Sequence, residues 1–556
     1  MLGYVTEPFD EHERDVLRRY VTNLDGPVFA LVNLPEVVKG ALFARYSRSA
    51  KSLRRLFLDE FVADLDVRGD ASVDATVGLR RAEELYARVF GDYGDDSVAQ
   101  LGGVHLACEQ ASNLLTKVLE RGRVMSYLEQ STRYIPYDSR LATGHYRYHR
   151  DPAVLESALG ARYVGEMDRM FDTYADLLPR LESHLRRAYP QPGEVSDLAY
   201  RQSLRAKALD SLRGLLPAGS LSNVGIYGSG QAFEQLVLRM RAHRLPEARR
   251  YAEQMLEELR KVIPSFLTRL DRPDRGGAWV EYLSRREEEM GDLVARLWPA
   301  GERGAAQGSA DVEPALVELV DFDPHGEEKV VAAMCYPYTD EAESTVAERV
   351  RRLGAEERAA IVRAYVGERA NRRHRPGRAL ERTSYRFDVV SDYGAFRDLQ
   401  RHRMLTVEWQ PLGTSLGWEV PDAVADAGLE GVFAESIERS GELHAAMRDA
   451  FPDQAGYAIA LAYNVRYVLQ MSAREAMHVL ELRSGPQGHP SYRRVVQEMH
   501  RLIGERAGHR AIAGAMTFVD HSADGLGRLA SEERSAARRR PRPGSPLDAT
   551  GSHGHE

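Results

Sequence analysis

Apolar residues recur at helical spacing along most of the chain. Leu42, Tyr46, Leu53 and Phe57 fall on one face of a helix, which predicts an amphipathic segment with that face buried. Alternation of apolar and polar residues over 385–390 predicts a strand. Helical periodicity also predicts helices over residues 78–90, 104–120, 156–189, 196–216, 231–260 and 354–366.

Two stretches lack this periodicity. Residues 299–313 are rich in glycine, alanine and charge, which predicts a linker between domains at 1–298 and 314–522. Residues 523–556 combine proline, glycine, serine and charge with few apolar side chains, which predicts a disordered tail. The chain is therefore expected to fold as two domains.

Composition and charge narrow the classes of protein. The chain has 556 residues, of which 43% are hydrophobic, enough for more than one ordinary core. No stretch approaches the roughly 20 apolar residues of a membrane span, and the acidic start does not fit a signal peptide, so we expect a cytoplasmic protein with no membrane partner. The formal charge of -8 disfavours nucleic-acid binding. Cys108 and Cys335 alone cannot build a disulfide framework or a cysteine zinc cluster, and no histidine pair has zinc-like spacing.

Arginines and hydroxyl side chains cluster over residues 121–134. Arg121, Arg123 and Arg133 lie there among several serines and threonines. Guanidinium groups bind phosphate through paired hydrogen bonds, and hydroxyl groups can donate to the remaining oxygens. The cluster therefore fits a small anionic ligand, although a solvated helix face can have the same composition.

The chain contains an internal repeat. Residues 236–255 and 480–499 share leucines, an arginine, paired arginines and a methionine without a gap, which places Arg239 opposite Arg483. An RGR triplet in the first half and an RHR triplet in the second precede these segments in the same order. The sequence thus predicts two diverged copies of one domain, the first with a longer helical connection around 152–200.

The motifs of the first copy resemble the signature of the flavin-dependent thymidylate synthases. That family has an Arg-His-Arg triplet, a serine after seven further residues, and then Arg-Tyr one residue later. Here Arg121 and Arg123 are followed after seven residues by Ser131, and then by Arg133 and Tyr134. Gly122 replaces the histidine of the triplet.

The second copy resembles a different part of the same signature. Arg401, His402 and Arg403 form the complete triplet, but Pro411 takes the place of the serine. Its later helix ends in leucine and Arg483, as the family's does. The resemblance spans nearly all of the predicted ordered chain and implies an α+β fold, helix-rich, with a small antiparallel sheet in each copy.

The resemblance also implies a reaction. Such enzymes methylate dUMP at C5 with a one-carbon unit from methylenetetrahydrofolate, and FAD, recharged by NADPH, supplies the hydride. They use no cysteine nucleophile, which agrees with the sparse cysteines of this chain. A fixed guanidinium stabilises the negative charge that develops on the pyrimidine during this chemistry.

Positions that match the family's motif imply the site residues. Those implied for catalysis are Ser131, Arg239 and Arg483. Those implied for nucleotide binding are Glu129, Arg133 and Arg213, with Arg213 facing the phosphate. Those implied for FAD binding are Ser97, Arg121, Arg123, Arg401, His402, Arg403 and Arg474. No metal ligand is implied.

Neither copy keeps the whole set, but the losses are complementary. The first copy retains the nucleotide side and the second retains the flavin side. Family members are tetramers whose sites draw on several subunits, so the resemblance implies a homodimer that forms a pseudo-tetramer, with composite sites made by unlike copies. Two alternatives remain open: a non-catalytic homologue that binds flavin or a pyrimidine nucleotide, and a structural relative whose arginines form salt bridges.

Overall fold

Each half of the chain contains one four-stranded antiparallel sheet in the computed structural model. The structure describes residues 4–5, 7–34, 39, 42–43, 46, 49–60, 103–193, 195–298, 316–523, 525–529 and 533. The predicted linker, the predicted helix over 78–90 and Ser97 lie outside these residues.

The first sheet has the order β1-β2-β4-β3. Its strands are β1 Val28–Leu31, β2 Gly103–Ser112, β3 Met125–Glu129 and β4 Leu221–Ser229. The prediction of one helix over 104–120 is wrong in its first half, because β2 runs to Ser112 and the helix begins after it. Nearly every residue of β2 is buried, so its apolar run does not alternate, and the Ser112 side chain caps the helix by accepting from the Leu115 amide.

The second sheet repeats this topology in the order β5-β6-β8-β7. Its strands are β5 Val317–Phe322, β6 Ser384–Asp392, β7 Thr406–Trp409 and β8 Asn464–Ser472. The strand predicted over 385–390 is confirmed inside β6. The two sheets also share their register: Ser126 opposes Tyr227 in the first sheet as Thr406 opposes Gln470 in the second.

Helices surround both sheets. Those described in the first copy are α1 Glu11–Leu17, α2 Leu53–Glu60, α3 Asn113–Leu119, α4 Pro152–Leu155, α5 Gly160–Ala188, α6 Asp197–Leu212, α7 Gly230–Arg241, α8 Pro246–Arg260 and α9 Ala278–Leu297. Those described in the second copy are α10 Gly326–Cys335, α11 Glu343–Arg352, α12 Ala355–Val366, α13 Tyr393–Leu399, α14 Asp422–Asp426, α15 Glu430–Arg448, α16 Ala473–Arg483, α17 Pro490–Glu505 and α18 Arg510–Ala515.

The two copies differ most in the connection between their third and fourth strands. The first copy uses the long helices α5 and α6, whereas the second uses the short α14 and one long helix, α15. Helix α5 packs on α15, and Arg439 of α15 binds Glu166 of α5 at 2.6 Å. The longer helical connection predicted for the first copy is thus present.

A short backbone ladder joins the copies around a pseudo-twofold axis. The amide of Ala218 donates to the carbonyl of Ile459 at 2.7 Å, and the amide of Leu461 donates to that of Leu216 at 2.9 Å. Pro217 lies opposite Ala460 between these bonds. Because each bond repeats the other with the copies exchanged, the ladder identifies equivalent positions without reference to side-chain identity.

The copies also share one hydrophobic core. A single cluster of buried apolar residues extends from Val28 in the first copy to Met516 in the second. A second cluster lies near the amino terminus around Leu17, Phe29 and Phe57. The α+β fold with two tandem, helix-rich domains and a small antiparallel sheet in each is therefore confirmed. Among the described helices, none is both long and apolar enough to span a membrane.

Candidate active site between the two copies

Glu129 ends strand β3 of the first copy and is enclosed by cations from both copies. Its carboxylate accepts hydrogen bonds from Arg397 at 2.6 Å and Lys117 at 3.3 Å, and it also pairs with Arg401. Burial opposes ionisation, but these three cations hold the pKa of Glu129 well below its usual range. The second copy supplies two of the three cations, so this ion cluster binds the copies together.

Asp398 lies on α13 of the second copy and bridges two of the predicted site arginines. Its carboxylate accepts from Arg213 at 3.1 Å and from Arg483 at 3.5 Å. Burial opposes ionisation here too, yet Arg483, Arg213 and the arginines behind them hold the pKa of Asp398 far below its usual range. The arginine implied for the phosphate and the arginine implied for the pyrimidine therefore meet at one carboxylate.

Arg213 begins the 3-10 turn Arg213–Leu215 and is 3% exposed. It pairs with Asp398 and, at 3.6 Å, with Asp392, but its Nε and one terminal nitrogen lack a hydrogen-bond acceptor in the described part of the chain. Gly394 makes room for it, since a Cβ there would lie 2.8 Å from the Arg213 Nε. Unsatisfied buried donors are costly, and phosphate oxygens could accept from them.

Arg133 is held by groups from both copies. Its guanidinium donates two hydrogen bonds of 2.7 Å to Asp210, one of 2.6 Å to the Tyr492 hydroxyl and one of 3.2 Å to the Gln487 carbonyl. Burial opposes ionisation of Asp210, but Arg133 and Arg528 lower its pKa to about 2. Arg133 thus has a carboxylate partner in the place where the resemblance implies a nucleotide.

The sequence assigns residues 525–529 to the disordered tail, but these residues pack against the site. Arg528 is 7% exposed, donates to Asp210 at 2.9 Å and lies 4.8 Å from the ring centre of Tyr134. Gly527 lies so close to the loop of the second copy that a Cβ would be 1.9 Å from the Pro486 carbonyl oxygen. The composition of the segment gives no sign that one arginine finds a buried carboxylate.

His402, between the two arginines of the RHR triplet, contacts Arg483. The Arg483 Nε donates to the His402 Nε2 at 2.9 Å, and the His402 Nδ1 lies 3.7 Å from the carboxylate of Glu475. Burial is the larger cause, and the charge of Arg483 the next, that lowers the pKa of His402 well below its usual range. The imidazole is therefore neutral.

His402, Glu475 and His478 lie close enough together to be tested as a metal site. The donor set fits poorly, because Arg483 donates to one ring and Arg375 lies 3.3 Å from the Nδ1 of His478. These arginines occupy the lone pairs that a cation would need and add positive charge nearby. The arrangement therefore suits an anion or a neutral ligand better than a divalent cation.

Two arginines implied for flavin binding form a matched pair across the copies. Arg403 contacts the carbonyl of Met125 and the hydroxyl of Ser126, while Arg123 contacts the carbonyl of Leu405 and the hydroxyl of Thr406. Each arginine therefore reaches the start of the third strand of the other copy.

Three further implied residues contact neither Glu129 nor Asp398 in the described part of the chain. Arg121 pairs with Glu408 at 3.0 Å and lies 5.2 Å from the ring centre of Trp409. Arg474 donates to the Pro376 carbonyl at 3.0 Å and to Glu381 at 3.1 Å. Ser131 opens the turn after β3, where its hydroxyl accepts from the backbone amide of Arg133 at 3.2 Å.

Arg239 is not the structural equivalent of Arg483, so the ungapped alignment of the repeat needs correction. Helices α7 and α16 begin after equivalent serine caps, Ser229 and Ser472. Arg483 is the last residue of the 11-residue α16, whereas Arg239 is third from the end of the 12-residue α7. Counted from the caps, Met240 corresponds to Arg483, and one residue rotates a helical side chain by about 100°.

Arg239 therefore lies apart from the carboxylates described above. It is half-buried, and within the described residues no hydrogen bond or ion pair reaches it. Burial lowers the pKa of Arg239. By the same counting from the ladder, the equivalent of Arg213 in the second copy is Gly456.

Residues from both copies meet in the clusters around Glu129 and Asp398. We call this region the principal site and define it by Glu129, Arg133, Arg213, Arg401, His402 and Arg483. Exchanging the copies gives the counterpart region, made of Trp409, Gly413, Gly456, Arg121, Gly122 and Met240. Only Arg121 among these six is charged. The principal site thus joins residues of the first copy that the resemblance implies for nucleotide binding to residues of the second that it implies for flavin binding, within one chain.

Sequence reasoning missed several groups that complete the principal site. They are Lys117, Asp210, Arg397, Asp398, Glu475, Tyr492 and Arg528. Asp398 and Arg397 lie on the helix just before Arg401. Extending the motif by one helical turn toward the amino terminus would have included them. Lys117 likewise lies on the helix just before Arg121, and Glu475 directly follows Arg474. The contacts of Asp210, Tyr492 and Arg528 with Arg133 arise only in the folded chain.

Comparison with known proteins identifies the family of this chain. A family model described as "thymidylate synthase complementing protein" matches residues 43–265 and 318–507. A UPF0159 protein of Chlamydia muridarum is 40% identical over 95% of this chain and 99% of its own length, and one of Thermoplasma acidophilum is 32% identical over 89% and 98%.

More distant relatives have functional names. A flavin-dependent thymidylate synthase of Mycobacterium sp. (strain KMS) is 29% identical over 32% of this chain and 67% of its own length. A solved UMP/dUMP methylase from Streptomyces cacaoi, bound with 5-Br dUMP, is 19% identical with a TM-score of 0.29, covering 36% of this chain and 94% of its own. On the two family-model matches, this chain belongs to the thymidylate synthase complementing protein family and holds two tandem copies of its domain.

Proposed function

We propose that the principal site binds dUMP and that the chain methylates it at C5, with methylenetetrahydrofolate as the carbon donor, FAD as the cofactor and NADPH as the reductant. The observation that carries this proposal is the convergence of Arg213, Arg133 and Arg483 from two copies around one buried cluster. In that cluster Arg213 retains donors without an acceptor.

The charge of the cluster also favours an anion. In the connected network of lysine and arginine ion pairs, seven cationic side chains face five carboxylates; Glu475, which lies beside His402, is not part of this network. The cationic side chains are Lys117, Arg133, Arg213, Arg397, Arg401, Arg483 and Arg528, and the carboxylates are Glu120, Glu129, Asp210, Asp392 and Asp398. Burial raises the pKa of Glu120, which adds to the positive excess when that group is protonated. A nucleotide monophosphate dianion would neutralise an excess of two charges.

Each residue then has a defined task in binding. Arg213 holds the phosphate through paired hydrogen bonds from its two nitrogens that lack an acceptor, Arg133 contributes positive charge while it stays bound to Asp210, and Ser131 donates from the adjacent turn. Arg483 presents its guanidinium to the pyrimidine, where it stabilises negative charge as the ring is activated. Glu129 keeps Arg397 and Arg401 in place between the copies.

FAD fits the cationic groups of the second copy. Arg401, Arg403 and Arg474 form a basic margin suited to a pyrophosphate, and the side chain of Arg474 is one-third exposed. When bound, the reduced flavin supplies the hydride, and the residues of this chain hold the nucleotide and exclude water. NADPH recharges the flavin, and the protein acts as a homodimer that forms a pseudo-tetramer.

The test is the visible spectrum of the purified chain with FAD, followed by addition of dUMP and, in parallel, deoxyuridine. We expect flavin bands that shift with dUMP but not with deoxyuridine, because the nucleoside lacks the phosphate that Arg213 binds. A chain that binds no flavin, or that responds equally to both, would contradict the proposal. Formation of thymidylate with NADPH and methylenetetrahydrofolate then tests turnover.

A second candidate function is binding without methyl transfer. It is favoured by the contacts of Arg133, whose guanidinium is already bound to Asp210, Tyr492 and Gln487. On this view the chain binds flavin or a pyrimidine nucleotide and the arginines serve mainly the fold. A dUMP-induced shift of the flavin spectrum with no thymidylate formed would select this alternative, and binding of neither flavin nor dUMP would leave only a structural role.

A further inference from the structure

Three side chains of the second copy, Glu475, His402 and Arg483, form a buried line that ends in the principal site. Glu475 lies 3.7 Å from the Nδ1 of His402, and the Nε2 of His402 accepts from the Arg483 Nε at 2.9 Å. The exposed fractions of the side chains are 12% for Glu475, 5% for His402 and 16% for Arg483. Arg483 in turn lies 3.5 Å from Asp398 at the centre of the principal site.

Geometry fixes the tautomer of His402. An arginine Nε always carries hydrogen, so the His402 Nε2 must be the acceptor and its proton must lie on Nδ1. That proton faces the carboxylate of Glu475. Glu475 is therefore placed to keep the ring in the form that can hold Arg483.

The counterpart region lacks the whole line. The residues equivalent to Glu475, His402 and Arg483 are Ala232, Gly122 and Met240, by the alignment of the helix caps and of the triplets. The counterpart region therefore lacks Glu475, His402 and Arg483 together, and it also lacks a charged side chain at the positions equivalent to Glu129, Arg133 and Arg213. Joint loss is expected when the three residues serve one task rather than separate structural ones.

We propose that Glu475 and His402 are positioning residues, which orient the guanidinium of Arg483 toward the pyrimidine. Arg483 donates its Nε to His402, which turns its two terminal nitrogens toward Asp398 and the nucleotide. This inference rests on the proposed function, because it assigns Arg483 a nucleotide to act on.

The surroundings of Glu475 agree with this role. Arg375, Arg403 and Arg474 face it, and burial raises its pKa to about 7 despite them. Burial is the larger cause, and the charge of Arg375 the next, that lowers the pKa of His478 to about 4. The His478 ring, which lies beside His402, is therefore neutral. In either protonation state Glu475 keeps an oxygen that can act as an acceptor toward the His402 Nδ1, which lies 3.7 Å away.

The first experiment measures the ligand-free protein and does not depend on turnover. The full chain labelled with 15N-histidine is examined by NMR, with His402→Asn to assign the signal of His402. We expect a protonated Nδ1 and an unprotonated Nε2 for His402. A proton on Nε2 would overturn the inference, whatever the chain does with nucleotides.

The second experiment compares Glu475→Gln, Glu475→Leu and a control, Glu505→Leu, at an exposed position on α17. The glutamine can still accept from Nδ1, whereas the leucine cannot. We expect Glu475→Leu to lower kcat by about 10- to 100-fold with dUMP affinity changed less than threefold, because Arg213 still holds the phosphate. Glu475→Gln should recover most of kcat, and the control should match the wild type.

The outcomes separate this inference from the proposed function. If the wild-type chain does not bind dUMP, the proposed function fails. The His402 tautomer then decides alone whether Glu475 and His402 hold Arg483 as inferred. If the wild type turns over and Glu475→Leu leaves both kcat and the tautomer unchanged, the proposed function stands and the positioning role is wrong. Equal loss in the glutamine and leucine variants would also contradict it.

Discussion

The principal site and the counterpart region occupy equivalent places around the pseudo-twofold axis but differ in nearly every polar residue. Glu129 has Trp409 as its equivalent, and Arg213 has Gly456. Arg401 meets a carboxylate on Glu129, whereas its equivalent Arg121 meets the ring of Trp409. The shared backbone shows that the same fold forms with either set of side chains.

The energetic difference between the two regions follows from burial. The ion pairs of the principal site are almost fully removed from water, where loss of one partner leaves an uncompensated charge. The described ion pair of the counterpart region, Arg121 with Glu408, has side chains that are 45% and 70% exposed. Equivalent substitutions should therefore have very different effects in the two regions.

The largest expected effect is on stability, through Glu129→Gln. This change leaves Lys117, Arg397 and Arg401 without their shared carboxylate, and we expect it to lower the free energy of unfolding by about 3–5 kcal/mol. Chemical denaturation measures it. The control, Glu408→Gln in the counterpart region, should cost less than about 1 kcal/mol. Similar losses in both variants would remove the distinction between the regions.

Next is the effect of Arg213→Lys on nucleotide binding. Lysine keeps the charge beside Asp398 but loses the fork that can bind a phosphate with two hydrogen bonds, so dUMP affinity should fall by about 100-fold. Calorimetric titration of the flavin-loaded chain measures it. The matched change Arg239→Lys should alter dUMP affinity less than threefold. A larger loss would mean that Arg239 takes part in binding the nucleotide.

A smaller effect concerns Asp210 and its dependence on pH. The folded pKa of Asp210, about 2, is below the value of about 3.9 expected in the unfolded chain. A lowered pKa contributes stability that is present above pH 4 and is lost as the pH falls toward 2, here about 2–3 kcal/mol.

The measurement is the unfolding free energy of wild type and Asp210→Asn at pH 7 and pH 3. The variant should be less stable at pH 7, and the gap between the two proteins should narrow at pH 3. The equivalent residue of the second copy, Asp453, is exposed. Asp453→Asn should show no such narrowing, and a constant gap for Asp210→Asn would refute the assignment of its pKa.

The smallest effect is expected for Arg121→Ala. Its ion pair with Glu408 is solvent-exposed, and exposed pairs contribute about 0–1 kcal/mol. Raising the ionic strength should reduce even this difference, because salt screens exposed charges. A loss above 2 kcal/mol in thermal or chemical unfolding would mean that the contact of Arg121 with Trp409 matters more than its exposure suggests.

The sequence predicted the tandem copies and the fold because both rest on repeated local patterns. The RGR and RHR triplets follow equivalent helices, α3 and α13, in the structure. The complementary losses in the two copies also predicted composite sites, and in the structure implied residues of both copies meet in one ion cluster. The structure adds that unlike copies pair within one chain, whereas the homodimer remains a prediction.

The misplacement of Arg239 has a simple cause. Leucines recur two residues apart in both helices, so LVLR and LELR align well in a register that is one residue wrong. Strand pairing and helix caps reveal the correct register, because a hydrogen-bonded ladder cannot shift by one residue without moving every side chain to the other face. Partners such as Asp210 and Arg528 were beyond prediction, since they come together only through tertiary packing.

The ladder around Pro217 and Ala460 has a consequence for how this protein can change. In an assembly of identical subunits, every substitution appears at all equivalent places, so a residue useful in one cavity must be tolerated in the others. A covalent tandem removes that obligation. Glu129 and Trp409 could therefore diverge independently, because a mutation in one half changes only one of the two equivalent regions of the chain. One region can lose its original residues while the other keeps them.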